Sequence, residues 1–139
     1  MQTTYPEPDL TGRDPHPVAI VVDDDHDQRD LIGAILEESD VEVIECESGE
    51  DAMRVMEEVA DRTIFMFADV RLGGRMDGVA LAREVGHRWP HIRLVTTSGK
   101  EEAARVKALP RGTRFFPKPW RPLDVIIALE QAIEERSAA

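Results

Sequence analysis

Five short apolar runs punctuate this chain. Each leads into charged or hydroxyl residues and is followed by a stretch with helical spacing. That alternation is the strongest constraint on the fold. Strand–helix repeats joined by short connections predict a parallel sheet covered by helices on both faces, an α/β architecture. In such sheets ligands bind beyond the carboxyl ends of the strands. The residues just after each strand are therefore the ones to weigh for function.

The first run, VAIVV at 18–22, has the unbroken hydrophobicity of a strand buried on both faces. Asp25 or Asp27 can cap a helix over about 27–39, with Leu31, Ala34 and Ile35 predicted on its inner face. VEVIE at 41–45 alternates apolar and polar residues, the pattern of a half-exposed edge strand. Ser48 opens a second helix, whose Ala52, Val55, Met56 and Val59 follow helical spacing closely. IFMFADV at 64–70 is the most apolar run and is predicted to be central. A glycine-rich turn precedes a helix over about 77–89 with Ala82, Val85 and Trp89 inward. IRLVTTS at 92–98 and TRFF at 113–116 are the remaining strands, separated by the short helix EEAARVKAL. Pro122 suits the first turn of a last helix burying Ile126, Leu129 and Ile133.

The chain has 139 residues, the size of one domain, and 42% are hydrophobic, enough for a real core. Its formal net charge of −11 argues against a nucleic-acid partner and against an anionic membrane surface. One cysteine, Cys46, permits no internal disulfide and points to a reducing compartment. There is no 18-residue apolar run, and MQTTYPEPDL lacks the regions of a signal peptide. A cytoplasmic protein is expected. Residues 1–17 hold four prolines without periodicity and are expected to form a flexible tail.

The strand-end residues are Asp23, Asp24 and Asp25 after the first strand, and Asp69 at the end of the third. Thr97 and Ser98 follow the fourth, and Lys118 follows the fifth. Taken singly, each has an ordinary explanation: a solvated turn, a helix cap, a loop hydroxyl, a surface lysine. Together they make coherent chemistry. Clustered carboxylates form a hard oxygen site suited to Mg2+, which would offset their mutual repulsion. An aspartate oxygen can attack a phosphoryl group, and such transfer depends mainly on positioning and charge neutralisation.

The motifs VVDDD (21–25), ADVRLGGRMDG (68–78), VTTSG (95–99) and FFPKPW (115–120) resemble those of the response-regulator receiver domains of two-component signalling. The resemblance spans about 18–137 and implies a flavodoxin-like, five-stranded parallel sheet in the order 2-1-3-4-5, with five helices on two faces. It implies that Asp69 is the phosphoacceptor. Asp24 and Asp69 would hold Mg2+ directly, Asp23 mostly through water, and the backbone carbonyl of Arg71 would complete the protein ligands. Asp25 would be a helix cap. Ser98, which precedes the small Gly99, would be the switch hydroxyl. Lys118 would pair with the phosphoryl group, across a cis bond to Pro119. Phe115 takes the place of the switch aromatic, which would follow the hydroxyl inward on phosphorylation and remodel a face including Trp120.

Two features depart from the usual pattern or vary within it. Gly73 stands where a proline is usual, so the GGR segment is expected to loosen the loop. Arg71 and Lys100 hold variable flanking positions and are expected to tune the lifetime of the acyl phosphate. The expected partners are a sensor histidine kinase or a phosphotransfer protein, and a downstream protein target. With no output domain expected after the last helix, the chain would act alone or shuttle phosphoryl groups in a relay. It would not be an enzyme beyond its own phosphorylation and slow dephosphorylation. An Mg2+-dependent phosphohydrolase of the haloacid dehalogenase type would place a second aspartate at position 71, where this chain has Arg71. A flavin or nucleotide site lacks its glycine-rich loop after the first strand. A receiver-like module that only binds partners is a further alternative, against which the complete set of acidic pair, acceptor, hydroxyl and lysine counts.

Overall fold

A computed structural model describes residues 16–99 and 103–138. The strands are β1 (Val18–Val22), β2 (Glu42–Cys46), β3 (Thr63–Asp69), β4 (Arg93–Ser98) and β5 (Arg114–Pro117). The helices are α1 (His26–Leu36), α2 (Gly49–Val59), α3 (Gly78–Arg88), α4 (Ala103–Val106) and α5 (Pro122–Ala138). All strand pairs are parallel, and the sheet order is β2-β1-β3-β4-β5. This is the flavodoxin-like order, with β3 in the middle and β2 at an edge. Most of the expected N-terminal tail lies outside the described residues, as do Lys100, Glu101 and Glu102.

Every residue of β1 and β3 is buried, because the sheet is covered on both faces. Alternate side chains of β1 enter different layers. Val18, Ile20 and Val22 pack with Ala52 and Met56 of α2 and with Leu81, Ala82 and Val85 of α3. Ala19 and Val21 pack with Ile32 and Leu36 of α1 and with Val125, Ala128 and Leu129 of α5. Cys46 is buried at the end of β2, and burial pushes its thiol pKa up to about 12. Among the described residues no helix is long and apolar enough to cross a membrane.

Two helix faces differ from expectation. On α1 the buried residues are Ile32, Gly33, Ile35 and Leu36, whereas Leu31 is 53% exposed and Ala34 also faces solvent. Five of the six residues from Leu31 to Leu36 are apolar, so helical spacing allows two inner faces one residue apart. Seating on β1 and β3 selects the second. On α5 the fully buried stripe is Val125, Ala128, Leu129 and Ala132. Leu129 is inward as expected, but Ile126 and Ile133 sit at the margin of that stripe. The small Ala128 and Ala132 let α5 approach the sheet closely. Helix α1 ends at Leu36 rather than near residue 39, and α3 spans the expected region.

The caps follow from side-chain chemistry. Asp25 caps α1 by accepting from the N–H groups of Asp27 at 3.0 Å and Gln28 at 3.2 Å. Ser48 caps α2 by accepting from Asp51 N–H at 3.0 Å. Asp77 caps α3 by accepting from Ala80 N–H at 2.8 Å. Gly78 matters for a different reason. A Cβ there would lie 2.2 Å from the Asp69 carbonyl oxygen, so only glycine lets α3 begin against the end of β3.

Candidate functional site

The parallel order brings the ends of β1, β3, β4 and β5 to one rim. Asp23, at the end of β1, is only 3% exposed. Burial raises its carboxyl pKa to about 6, and the nearby charges of Asp69 and Asp24 add to the rise. The N–H of Asp25, donating to Asp23 Oδ1 at 2.9 Å, and the charge of Lys118 pull the other way. Asp24 is exposed, and its Oδ2 accepts from the N–H of Gly73 at 3.1 Å.

Asp69 ends β3 and is 6% exposed. Its Oδ1 accepts from Arg71 N–H at 2.9 Å and its Oδ2 from Lys118 Nζ at 2.7 Å. Strand β4 sets this geometry, because it lies between the two residues in the sheet. Val70 N–H donates to the Thr97 carbonyl at 2.9 Å, and Lys118 N–H donates to the Ser98 carbonyl at 3.0 Å. The Lys118–Pro119 peptide is cis. Beyond it, Trp120 meets Phe67 edge-on, with ring centroids 5.5 Å apart.

The remaining candidates sit close by but are not all joined to the acceptor. Ser98 is buried, and its hydroxyl donates to the Gly99 carbonyl at 3.2 Å rather than to Asp69. The hydroxyl of Thr97 has no hydrogen-bond partner among the described residues. Phe115 is half-buried and pairs with Thr96 across β4 and β5, while Phe116 packs on the α1–α5 side. Arg71 is exposed in the β3–α3 loop, and Lys100 lies outside the described residues.

The two glycines of the β3–α3 loop have different surroundings. Gly74 adopts φ +85°, a conformation that suits glycine. Gly73 supplies the N–H that a proline would lack, and that group is bonded to Asp24.

Sequence reasoning passed over two residues. Arg29 of α1 donates through Nη1 to the Asp23 carbonyl at 2.9 Å and pairs through Nε with Glu45 Oε1 at 3.3 Å. It braces the acidic turn against β2. Gly33 makes room for this, since a Cβ there would lie 2.9 Å from Glu45 Oε2. Glu50 of α2 accepts from Arg75 N–H at 2.9 Å, which holds its carboxyl pKa below the ordinary value. No spacing rule signals either one. An arginine four residues after a cap and a glutamate in a first helical turn are both ordinary.

The donor set fits a hard divalent cation of the Mg2+ type. Carboxylates from the ends of β1 and β3 share one rim and raise one another's charge cost, which a cation would relieve. Among the described residues no three His, Cys, Asp or Glu side chains already converge as a metal cage. Asp23, Asp24 and Asp69 therefore share the rim without forming a closed set of ligands.

Comparison with known proteins shows the family and the fold. The family model for the response regulator receiver domain matches residues 19–130. The chain is 30% identical over 96 residues to the sensor kinase CckA of Brucella abortus (strain 2308), covering 68% of this chain and 10% of that protein. It is 31% identical over 121 residues to the DNA-binding transcriptional regulator NtrC of Escherichia coli (strain K12), covering 81% of this chain and 24% of NtrC. The chain thus corresponds to about a tenth and a quarter of the lengths of these relatives. Among solved structures, the receiver domain of NtrX from Brucella abortus is similar, with TM-score 0.72 and 33% identity over 84% of this chain and 98% of that one. A response regulator receiver domain protein from Clostridium thermocellum shares the fold, with TM-score 0.79 and 22% identity over 88% of this chain and 98% of that one. Family match, strand order and strand-end chemistry coincide: the chain belongs to the response regulator receiver domain family of two-component signalling.

Proposed function

We propose that this receiver accepts a phosphoryl group on Asp69. The observation that carries the reading is the contact of Lys118 Nζ with Asp69 Oδ2 at 2.7 Å, at a buried strand end beside Asp23. In the reaction an Asp69 oxygen attacks phosphorus, a P–O bond forms, and the P–N bond of a phosphohistidine donor breaks as the departing imidazole takes up a proton. Arg71 N–H keeps the carboxylate oriented through Oδ1. Lys118 neutralises the acceptor before transfer and is placed to meet the phosphoryl oxygens afterwards. Asp23, Asp24, Asp69 and the Arg71 carbonyl would hold Mg2+, which would supply positive charge to the transferring group.

The finer roles complete the reading. Ser98 would give up its bond to Gly99 and donate to a phosphoryl oxygen, with Phe115 following. That charge-driven change would bias a two-state surface for a downstream protein. Arg71 and Lys100 would tune the lifetime of the acyl phosphate. The donor would be a sensor histidine kinase or a phosphotransfer protein, and the domain would catalyse only its own phosphorylation and dephosphorylation. The single buried cysteine fits a cytoplasmic setting. Likeness to part of a sensor kinase supports a second reading, that of a phosphoryl shuttle in a relay.

Intact-mass measurement after incubation with acetyl phosphate, with and without Mg2+, tests the proposal. One Mg2+-dependent phosphoryl adduct on the wild type, lost in Asp69→Ala, is expected. An adduct that survives in Asp69→Ala would overturn the assignment.

A further inference from the structure

Three alternate N–H groups of the β3–α3 loop each donate to a carboxylate. Arg71 N–H meets Asp69 Oδ1 at 2.9 Å, Gly73 N–H meets Asp24 Oδ2 at 3.1 Å, and Arg75 N–H meets Glu50 Oε2 at 2.9 Å. The first two carboxylates belong to the candidate site. The third does not: Glu50 sits in the first turn of α2, on a different layer of the fold.

We propose that Glu50 is a positioning residue for the phosphoacceptor site. By accepting the Arg75 N–H, it sets the register of the β3–α3 loop, so that the next two alternate amides meet Asp24 and Asp69. The inference rests on the phosphoacceptor reading above and extends it to a residue outside the rim.

The helix that carries Glu50 is anchored at its start and along its inner face. Ser48 caps its helix, and Ala52 and Met56 bury the helix against the sheet. The loop, by contrast, carries two adjacent glycines and needs an external anchor to hold one register. The seam between them is tight. A Cβ on Gly49 would come within 2.9 Å of Met76, and a Cβ on Gly74 within 3.1 Å of the Glu50 carboxylate. Two glycines and one carboxylate thus bring α2 against the loop. Bonds from amides to carboxylates are charge-assisted and directional, so fixing one constrains its neighbours along the chain. The middle bond depends on Gly73 having an N–H, which a proline at that position would lack.

The test uses the full chain, with Glu50→Ala, Glu50→Gln and Asp51→Ala. Asp51 lies on the same helical turn, and its carboxylate pairs with Arg54 rather than with the loop. Mg2+ affinity is measured by calorimetry, and amide hydrogen exchange is followed over residues 71–76. Groups that hydrogen-bond a metal ligand move metal affinity by about 10-fold or more, and Glu50 acts through the loop whose amides make those bonds. Glu50→Ala should therefore weaken Mg2+ binding about 10-fold and speed exchange at Gly73 and Arg75 by a similar factor. Glu50→Gln keeps an oxygen acceptor but loses the charge assistance, so it should fall between wild type and Glu50→Ala on both readouts. Asp51→Ala should change neither.

If Glu50→Ala lowers only the melting temperature, as Asp51→Ala would, the proposal fails. Equal impairment of the Ala and Gln variants would also overturn it, because charge rather than the bond would then be responsible. Should Glu50→Ala not fold, Glu50→Asp decides. It is one methylene too short to keep the bond and should show the same two losses. A wild-type chain that binds no Mg2+ would overturn the phosphoacceptor reading itself, whereas exchange at Gly73 and Arg75 would still decide whether Glu50 fastens the loop.

Discussion

Lys118 and Asp69 form an ion pair, Nζ to Oδ2 at 2.7 Å, although they arrive on strands that do not touch. Strand β4 lies between β3 and β5 and holds both through its last carbonyls, Thr97 to Val70 and Ser98 to Lys118. The pair is therefore a product of sheet order rather than of local sequence. Removing a preorganised cationic donor from a reacting centre typically costs about 100-fold in rate. Lys118→Ala should slow labelling by acetyl phosphate by about that factor. Intact-mass time courses check it, and near-wild-type labelling would remove Lys118 from the site.

Asp23 carries a stability cost with a defined pH window. Its carboxyl pKa is about 6 in the folded chain against an ordinary 3.8. Between these values the folded state holds a proton that the unfolded state has released. Stability from this group therefore falls as pH rises from about 4 through about 6, and the full cost persists above that. Two pKa units correspond to at most about 3 kcal/mol. In EDTA, Asp23→Asn should be more stable than wild type at pH 7.5 and lose that advantage near pH 4, as urea titrations at each pH would show. A constant difference across the range would contradict this account.

Arg29 braces the acidic turn through the Asp23 carbonyl and Glu45. Arg29→Ala should cost about 1–3 kcal/mol, the range for a hydrogen bond from a charged donor to a part-buried acceptor. Glu45→Ala should cost less, since Glu45 lies on the edge strand and is exposed. The double variant should fall short of the sum of the two losses, because both act on one contact. Strict additivity in equilibrium unfolding would show that the brace is not a unit.

Gly78→Ala should be among the most damaging single-methyl additions in the domain. The new Cβ would stand 2.2 Å from the Asp69 carbonyl and 2.6 Å from Val70 Cα, both backbone atoms that cannot rotate away. A loss of about 1–3 kcal/mol or more is expected, with slower labelling of Asp69 because its own peptide must shift. Gly86→Ala is the control, since its nearest contacts are side-chain carbons at 3.5 Å. Equal stability of the two variants would sink the argument.

The strands were the most legible part of the sequence. VAIVV and IFMFA are apolar without interruption because both faces of a central parallel strand are covered, and VEVIE alternates because β2 is an edge. The cap Ser48 and one of the two proposed α1 caps were legible too, since their chemistry acts within three residues. The inner faces of α1 and α5 were less so. In LIGAIL and VIIAL apolar residues run nearly all around the helix, and spacing alone leaves the seating open by one residue.

The residues offered as the candidate site were visible because they end strands, and topology makes the strand ends a single rim. Contacts made across the chain were not visible. Glu50 reaches Arg75 over 25 positions and Asp24 reaches Gly73 over 49. Sequence alone determined which residues are strand ends and which cap α1 and α2, because those follow from local periodicity and short-range hydrogen bonding, and the strand–helix alternation put the strand ends at one rim. Only the tertiary structure decided which backbone amide each carboxylate holds, because that depends on how separately folded layers dock, and docking is set by packing rather than by local pattern.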